Sequence, residues 1–168
     1  MEIILALHDI RSTYNVGAIL RTAEGFGVKK AIFSGYTPTP HDQNLLPHLR
    51  AKLDKEIAKT ALGAENLISI YPSSDIKSEL KKYQKQGYQI VGLENNLQNP
   101  KLIQITDPKI KSKLRDKIVL LLGEEVHGID YSLHDIIDLF LEIPMHGQKE
   151  SFNVSVAAGI ALYGLASQ

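Results

Sequence analysis

Cysteine is absent from the 168-residue chain. Disulfide bonds, thiolate zinc sites and thiol nucleophiles are therefore excluded, and the sequence is compatible with a reducing cell interior. No apolar run approaches the roughly 20 residues that a membrane-spanning helix needs. The N-terminus, MEIILALHDI, lacks the basic start and the long apolar core of a signal peptide. Because the length suits one domain, we expect residues 1–168 to form a single soluble, cytoplasmic domain.

Three common signatures of ligand sites are also missing. No G-x-G-x-x-G segment follows a predicted strand, so the sequence does not favour a dinucleotide-dependent oxidoreductase. No P-loop is present, so the sequence lacks the usual motif of a nucleoside triphosphatase. No pair of histidines has the spacing of metal ligands on one helix. We therefore expect no metal site.

Net charge is zero, but the charges are distributed unevenly. Between residues 77 and 117 ten basic residues accompany four acidic ones, whereas one basic residue accompanies seven acidic ones from residue 118 onward. A basic segment of this kind can follow the phosphates of a nucleic acid. Charge alone fits an ordinary solvated surface equally well.

Hydrophobic patterning predicts alternating strands and helices. The predicted strands cover residues 2–8, 30–34, 67–71, 89–93, 118–122 and 139–143. The predicted helices cover residues 15–26, 49–62, 74–86 and 133–137, with a last helix beginning at residue 154. Residues 95–117 are expected to be mostly connection, with one helical turn. This alternation is typical of an α/β domain with a mainly parallel sheet flanked by helices.

Three polar clusters follow predicted strands. They read NVGAILRTA from residue 15, LGEEVHG from residue 122 and IPMHGQKESFNVSVAA from residue 143. Open parallel sheets bind ligands beyond the carboxyl ends of their strands, so these clusters predict a site there. The third cluster leads into a nearly continuous apolar helix, which we expect to be buried on almost every side. Its N-terminus offers unpaired N–H groups and the positive end of the helix dipole.

Together the three clusters resemble the motifs of a known family. The patterns N-x-G-x-x-x-R, L-G-x-E-x-x-G and I-P-M-x-G-x-x-x-S-x-N-V-S-V-A-A, in this order, are similar to those of the SpoU (TrmH) family of RNA 2′-O-ribose methyltransferases, in the SPOUT class. The resemblance extends over the whole chain. It implies a C-terminal trefoil knot that binds S-adenosylmethionine, although chains in general avoid threading. It also implies tRNA or rRNA as substrate.

The resemblance assigns roles to individual positions. The residues implied to hold the cofactor are Leu122, Gly123, Ile143, Met145, Ser151, Phe152 and Asn153. The residues implied to form the catalytic centre are Asn15, Arg21, Glu125, Ser151 and Asn153. Phe152 departs from the family, in which leucine is common, so the cofactor slot here can differ in shape.

A structural role fits several of these positions as well. Asn15 and Ser151 are residue types that cap helices, and Asn153 fits a hydrogen-bonded buried amide. Glu125, taken alone, fits a solvated surface position. Arg21 shares its helix with apolar residues, and burying a guanidinium without an anionic partner is costly, so a functional role is favoured there.

For the chemistry, we assign Arg21 to the target phosphate and to the developing alkoxide, because a guanidinium barely deprotonates in proteins. His127 and His146 lie in loops that form the predicted site, and each is a weaker candidate for the general base.

The expected partners are RNA and a second copy of the chain. Besides Arg21, RNA contacts are expected from a basic cluster made of Lys109, Lys111, Lys113, Arg115 and Lys117. The resemblance implies a homodimer through the knot region, with Arg21 facing Ser151 and Asn153 of the other subunit. An apolar last helix that cannot bury every side chain in one small core favours the same arrangement. No appended RNA-binding domain is expected. The alternative is a non-catalytic RNA-binding or assembly module, which the presence of Arg21 disfavours.

Overall fold

Seven strands form the centre of the computed structural model, which describes residues 1–167. The strands are β1 (Glu2–His8), β2 (Lys30–Ser34), β3 (Ser69–Ser73), β4 (Gln89–Leu93), β5 (Leu102–Gln104), β6 (Lys117–Leu122) and β7 (Leu139–Glu142). They form one sheet in the order β3-β2-β1-β6-β4-β7-β5, and all six neighbouring pairs are parallel. The carboxyl ends of all seven strands therefore lie along one edge.

Helices cover both faces of this sheet. They are α1 (Thr13–Gly25), α2 (Pro47–Ala61), α3 (Ile76–Lys85), α4 (Ile110–Lys113) and α5 (Val154–Ala166), with short 3₁₀ turns at Ala64–Asn66 and Tyr131–Leu133. One hydrophobic cluster joins alternate residues of β1, such as Leu5 and Leu7, to α1, α2 and α5. A second cluster joins Ile4 and Ala6 to α3 and to the segment before β7. Because both faces are covered, the central strands are apolar along their length.

The predicted α/β fold with a parallel sheet and flanking helices is confirmed. Two details differ. The predicted connection over residues 95–117 contains strand β5 as well as the single helical turn α4. The helix predicted over residues 133–137 is wrong, since a 3₁₀ turn at Tyr131–Leu133 takes its place. The side chain of Asp130 accepts the Ser132 N–H at 2.7 Å, and β7 begins at Leu139, so the chain has little length for an α-helix.

Helix α5 is buried on one side only, which corrects the expectation of burial on almost every side. The side that faces the core consists of Ala158, Ala161, Leu162 and Leu165. Val156 is 50% exposed and Tyr163 is 66% exposed. Tyr163 contacts Phe26 at the end of α1, with 6.4 Å between the ring centroids. Helices α1 and α5 therefore lie side by side and leave apolar groups uncovered in a single chain.

Helix α1 begins at Thr13 with Ser12 as its N-cap, because the Ser12 hydroxyl accepts the Asn15 N–H. Asn15 is therefore not the cap, and its side chain is free to reach other elements. Among residues 1–167 no helix is long and apolar enough to cross a membrane.

Candidate active site

A cavity of about 310 Å³ lies beyond the carboxyl ends of β4, β6 and β7. Six of the seven residues predicted to hold the cofactor line it: Leu122, Gly123, Ile143, Ser151, Phe152 and Asn153. The seventh, Met145, does not line the cavity. The backbone N–H of Ile143 is held by the side chain of Asn95, after which Pro144 begins a loop that rejoins the cavity wall at Glu150. Met145 lies in that loop, so its role in holding the cofactor stays a prediction.

The turn after β6 forms one wall of the cavity and explains why its first residue is glycine. Two backbone hydrogen bonds close the turn, from Glu124 N to Gly128 O at 3.0 Å and from Gly128 N to Glu124 O at 2.9 Å. A Cβ atom on Gly123 would lie 2.4 Å from the Gly128 oxygen, so any side chain there would open the turn. Gly128 has φ +73°, in the left-handed region that favours glycine.

Two residues after β4 complete the cavity, and the sequence motifs did not include them. Glu94 accepts the Ile129 N–H at 2.8 Å, which fixes the end of the turn after β6. The Asn95 side chain donates to Ile143 O at 2.9 Å and accepts the Ile143 N–H at 3.1 Å, which fixes the end of β7. Their position at the carboxyl end of a predicted strand was the one signal that pointed to them.

Three of the predicted catalytic residues form a hydrogen-bonded network beside the cavity. The amide of Asn15 donates to Glu125 Oε1 at 3.1 Å, and the amide of Asn153 donates to Asn15 Oδ1 at 3.2 Å. The backbone N–H of Arg11 donates to the other oxygen of Glu125 at 3.3 Å. Residues from α1, from the turn after β6 and from the start of α5 therefore meet at one point.

The structure decides between the alternatives for these residues. Asn153 is exposed rather than a buried amide, and it caps α5 by accepting the Ser155 N–H at 2.9 Å. Ser151 is exposed at the cavity wall and caps no helix. Glu125 is bound by Asn15 and by the backbone, so it is not merely solvated.

Arg21 stands apart from this network. It lies nearly two helical turns beyond Asn15 on α1, it is exposed, and it does not line the cavity of its own chain. Among residues 1–167 the Arg21 side chain has neither a hydrogen bond nor an ion pair, although its backbone lies within α1. Because Arg21 is exposed, the chain offers its guanidinium group to solvent or to a partner.

The two histidine candidates for the general base occupy different positions. His127 lines the cavity, and its Nδ1 lies 2.5 Å from Glu124 Oε2. Burial alone would raise the pKa of Glu124, but hydrogen bonds from His127 and the charges of His127 and Arg11 together hold it below its ordinary value. His146 is exposed in the loop after β7 and does not line the cavity.

The basic cluster lies at the opposite edge of the sheet. Lys117 begins β6, whereas Leu122 ends it at the cavity, and strands rise about 3.3 Å per residue. The two ends are thus roughly 17 Å apart. The Lys117 ammonium group lies 5.5 Å from the ring centroid of Tyr88, and all five members of the cluster are exposed. The described residues contain no group of three or more metal-ligating side chains.

Comparison with known proteins gives a family. The model of the SpoU rRNA Methylase family matches residues 2–163. A protein of Xylella fastidiosa named 23S rRNA (guanosine-2′-O-)-methyltransferase RlmB is 30% identical over 161 residues, which are 96% of this chain and 57% of that protein. Its namesake from Pseudomonas aeruginosa is 30% identical over 168 residues, or 100% and 60% of the two chains. The chain thus spans less than two thirds of the length of these relatives.

Solved structures show the same fold. An rRNA methyltransferase from Sinorhizobium meliloti with bound AdoMet superposes with a TM-score of 0.76 at 24% identity, over 97% of this chain and 55% of that one. A TrmH/SpoU tRNA modifying enzyme from A. aeolicus superposes with a TM-score of 0.77 at 22% identity, over 99% and 75%. The expected knotted fold is confirmed by this agreement. With the motifs, the fold and the family match in accord, the chain belongs to the SpoU family of RNA methylases, in the SPOUT class.

Proposed function

We propose that the protein transfers a methyl group from S-adenosylmethionine to a ribose 2′-hydroxyl of RNA. The observation that carries the proposal is the hydrogen-bonded network of Asn15, Glu125 and Asn153. This network lies beside a cavity that residues of the family motifs line. The names of the relatives from Xylella fastidiosa and Pseudomonas aeruginosa favour rRNA over tRNA as the substrate class.

The cavity suits S-adenosylmethionine in size and in charge. Its volume of about 310 Å³ lies in the range of small-molecule sites. Leu122 and Ile143 give an apolar wall for a planar base, and the carboxylates of Glu94, Glu124 and Glu150 favour a cationic ligand such as a sulfonium. When bound, the cofactor supplies an electrophilic methyl group on that sulfonium.

The chain's own residues would position the ribose and stabilise the negative charge that develops on its 2′-oxygen. Asn15 and Asn153 present amide groups at the site, and Glu125 fixes their orientation. Such positioning supplies much of the rate in displacement reactions. Arg21 would hold the adjoining phosphate and stabilise the developing alkoxide. His127 is the better placed of the two histidines to accept the hydroxyl proton, because it lines the cavity and Glu124 orients its ring.

A second copy of the chain would supply the Arg21 guanidinium. In one chain Arg21 neither lines the cavity nor has an anionic partner among the described residues. Next to it, α1 and α5 expose Phe26, Val156 and Tyr163. Apolar side chains in this position suit a two-fold contact between identical surfaces. We therefore propose a homodimer in which Arg21 of each chain reaches the site of the other.

The experiment that tests the function measures transfer of radiolabelled methyl groups from S-adenosylmethionine to bulk rRNA and tRNA, followed by mapping of the modified nucleotide. Calorimetry with S-adenosylhomocysteine measures ligand binding to the cavity independently of methyl transfer. Gly123→Val should abolish both signals, because the turn after β6 has no room for a side chain. Gly147→Ala is the matched control, since a Cβ there contacts nothing within 4 Å. The proposal would be refuted if the wild-type protein showed neither S-adenosylhomocysteine binding nor methyl transfer.

A further inference from the structure

A second cleft adjoins the cofactor cavity at the same edge of the sheet. It has a volume of about 470 Å³, and its walls come from the ends of β1 and β2, the turn after β6 and the Tyr131–Leu133 turn. Glu124, His127 and Gly128 line both the cleft and the cavity. A ligand in the cleft would therefore lie next to the site of methyl transfer. We call it the tyrosine cleft, after Tyr36 and Tyr131, which both line it.

Both tyrosine rings are exposed, although large aromatic side chains usually gain from burial. Tyr131 is 84% exposed, and its ring stacks obliquely on His134 with 4.9 Å between centroids. Tyr36 is 51% exposed, and the Arg11 guanidinium lies 5.7 Å from its ring centroid. Each tyrosine thus has a flat group beside its ring and is still at least half exposed. Planar ligands such as nucleobases stack on rings of this kind.

The backbone N–H of Tyr36 is bound by Asp9, a residue with an uncommon backbone conformation. Asp9 has φ +58°, which is uncommon for a residue with a side chain. In this conformation its Oδ1 accepts the backbone N–H of Tyr36 at 3.1 Å. Strained residues that are fixed by their surroundings concentrate at binding sites. The conformation of Asp9 therefore sets the position of Tyr36 at the cleft wall.

Three carboxylates, those of Asp9, Glu124 and Asp130, line the cleft. Three histidines line it as well, namely His8, His127 and His134. The Asp130 pKa is lowered by hydrogen bonds from the Ser132 backbone and side chain, so this carboxylate stays ionised. Carboxylates repel phosphates and accept hydrogen bonds from N–H groups. The cleft thus suits the edge of a base that carries donors, as guanine does, and not the RNA backbone.

From these observations we propose that the tyrosine cleft binds one unstacked guanine base of the RNA segment that carries the methylated ribose, with Tyr36 and Tyr131 as stacking surfaces and Asp9 as an acceptor for the base edge. The proposal rests on the proposed function, because it places a part of the same substrate. RNA-binding proteins commonly read single-stranded segments by splaying bases onto aromatic side chains.

The test uses fluorescence anisotropy with fluorescein-labelled RNA heptamers that carry guanine, inosine or adenine at the central position. Tyr36→Ala and Tyr131→Ala should each weaken binding of the guanine heptamer about tenfold, while Tyr36→Phe and Tyr131→Phe, which keep the ring, should bind like the wild type. Tyr71→Ala is the matched control, because Tyr71 is 50% exposed and lies outside the cleft. Thermal unfolding verifies that every variant is folded.

The role of Asp9 is tested with Asp9→Asn, since asparagine tolerates the same left-handed backbone. This variant should lose the preference for guanine over adenine by about tenfold and keep its affinity for S-adenosylhomocysteine. Equal affinities of the wild type and both alanine variants for the guanine heptamer would overturn the proposal. Absence of methyl transfer by the wild type would count instead against the proposed function, so the two failures are distinguishable.

Discussion

The side chain of Asn153 donates a hydrogen bond to the side-chain oxygen of Asn15 at 3.2 Å and thereby joins the start of α5 to the start of α1. Asn15 in turn donates to Glu125 at 3.1 Å. Asn15 thus links Glu125 and Asn153, which lie in two other chain segments. Removing the Asn15 side chain releases both.

We therefore expect Asn15→Ala to lower the rate of methyl transfer about a hundredfold, because small misplacements of positioning groups have effects of that size. Affinity for S-adenosylhomocysteine should change little, since Asn15 does not line the cavity. Asn44→Ala is the control, because the Asn44 side chain bonds only within its own turn, to Asp42. An Asn15→Ala enzyme with wild-type rate would show that the network is not needed for catalysis.

Arg21→Ala should abolish methyl transfer and leave cofactor affinity within a few-fold of wild type, because Arg21 is assigned to the RNA. Arg21→Lys should also transfer poorly, since an ammonium group cannot reproduce the two parallel hydrogen bonds of a guanidinium. Arg50→Ala removes another arginine, one that bonds to Gln43 on the surface, and should be silent. The measurements are initial rates and calorimetry. Equal loss of cofactor binding in Arg21→Ala would contradict the assignment.

Mixed dimers test the shared site. Arg21→Ala and Asn153→Ala proteins, each inactive alone, should regain about a quarter of wild-type activity when their subunits exchange. Half of the dimers are then mixed, and each mixed dimer has one site with both defects and one with neither. Native mass spectrometry verifies the exchange. Verified exchange without recovery, or a monomer in sedimentation at micromolar concentration, would rule out the shared site.

The basic cluster should contribute to RNA binding at a distance from the cavity. Replacing Lys109, Lys111 and Lys113 by glutamine should flatten the dependence of log affinity on log salt by about 0.7 to 0.9 for each lysine that binds a phosphate. A matched triple replacement removes the same charge from three exposed residues of α2, namely Lys52, Lys55 and Lys59. An unchanged slope in the first triple variant would assign the cluster to ordinary solvated surface.

Alkaline stability should depend on Tyr88. Its hydroxyl donates to Glu2, and this hydrogen bond, together with burial, raises the pKa of Tyr88 from 10.0 to about 12. The folded state therefore holds the proton more tightly than the unfolded state, so this contribution is complete below pH 10 and is lost as the pH rises toward 12. In urea unfolding, the free energy of unfolding of Tyr88→Phe should be lower than that of the wild type at pH 9. This difference should be smaller at pH 11.5. Tyr83→Phe should show no such change.

Hydrophobic patterning was sufficient for most of the sheet. The bounds predicted for β1, β2 and β4 agree with the structure because each is a short apolar run that ends at polar residues or glycine. Strand β5 was not predictable in this way. It has three residues, and it pairs only with β7, far along the chain, so its conformation comes from tertiary contact rather than local sequence.

Like the sheet, the candidate site was predictable from the sequence only in part. The family resemblance implied that Gly123 and Asn153 hold the cofactor, and both line the cavity. Sequence patterning could not show where Met145 lies, because its position depends on how the loop after Pro144 leaves the sheet. Nor could it show that Arg21 is exposed, because one helical face can meet either the core or a partner.

The pairing of β1 with β6 also constrains the order in which the protein can form. Glu2 lies beside Lys117, so the middle of the sheet joins segments with most of the chain between them. Loop closure of that length slows folding, and until β6 exists the apolar β1 has an open edge. A growing polypeptide on the ribosome would carry this edge unpaired until β6 has been made. The cavity, lined by residues on and after β6 together with those after β4, can assemble only after the residues up to Ala157 have been made.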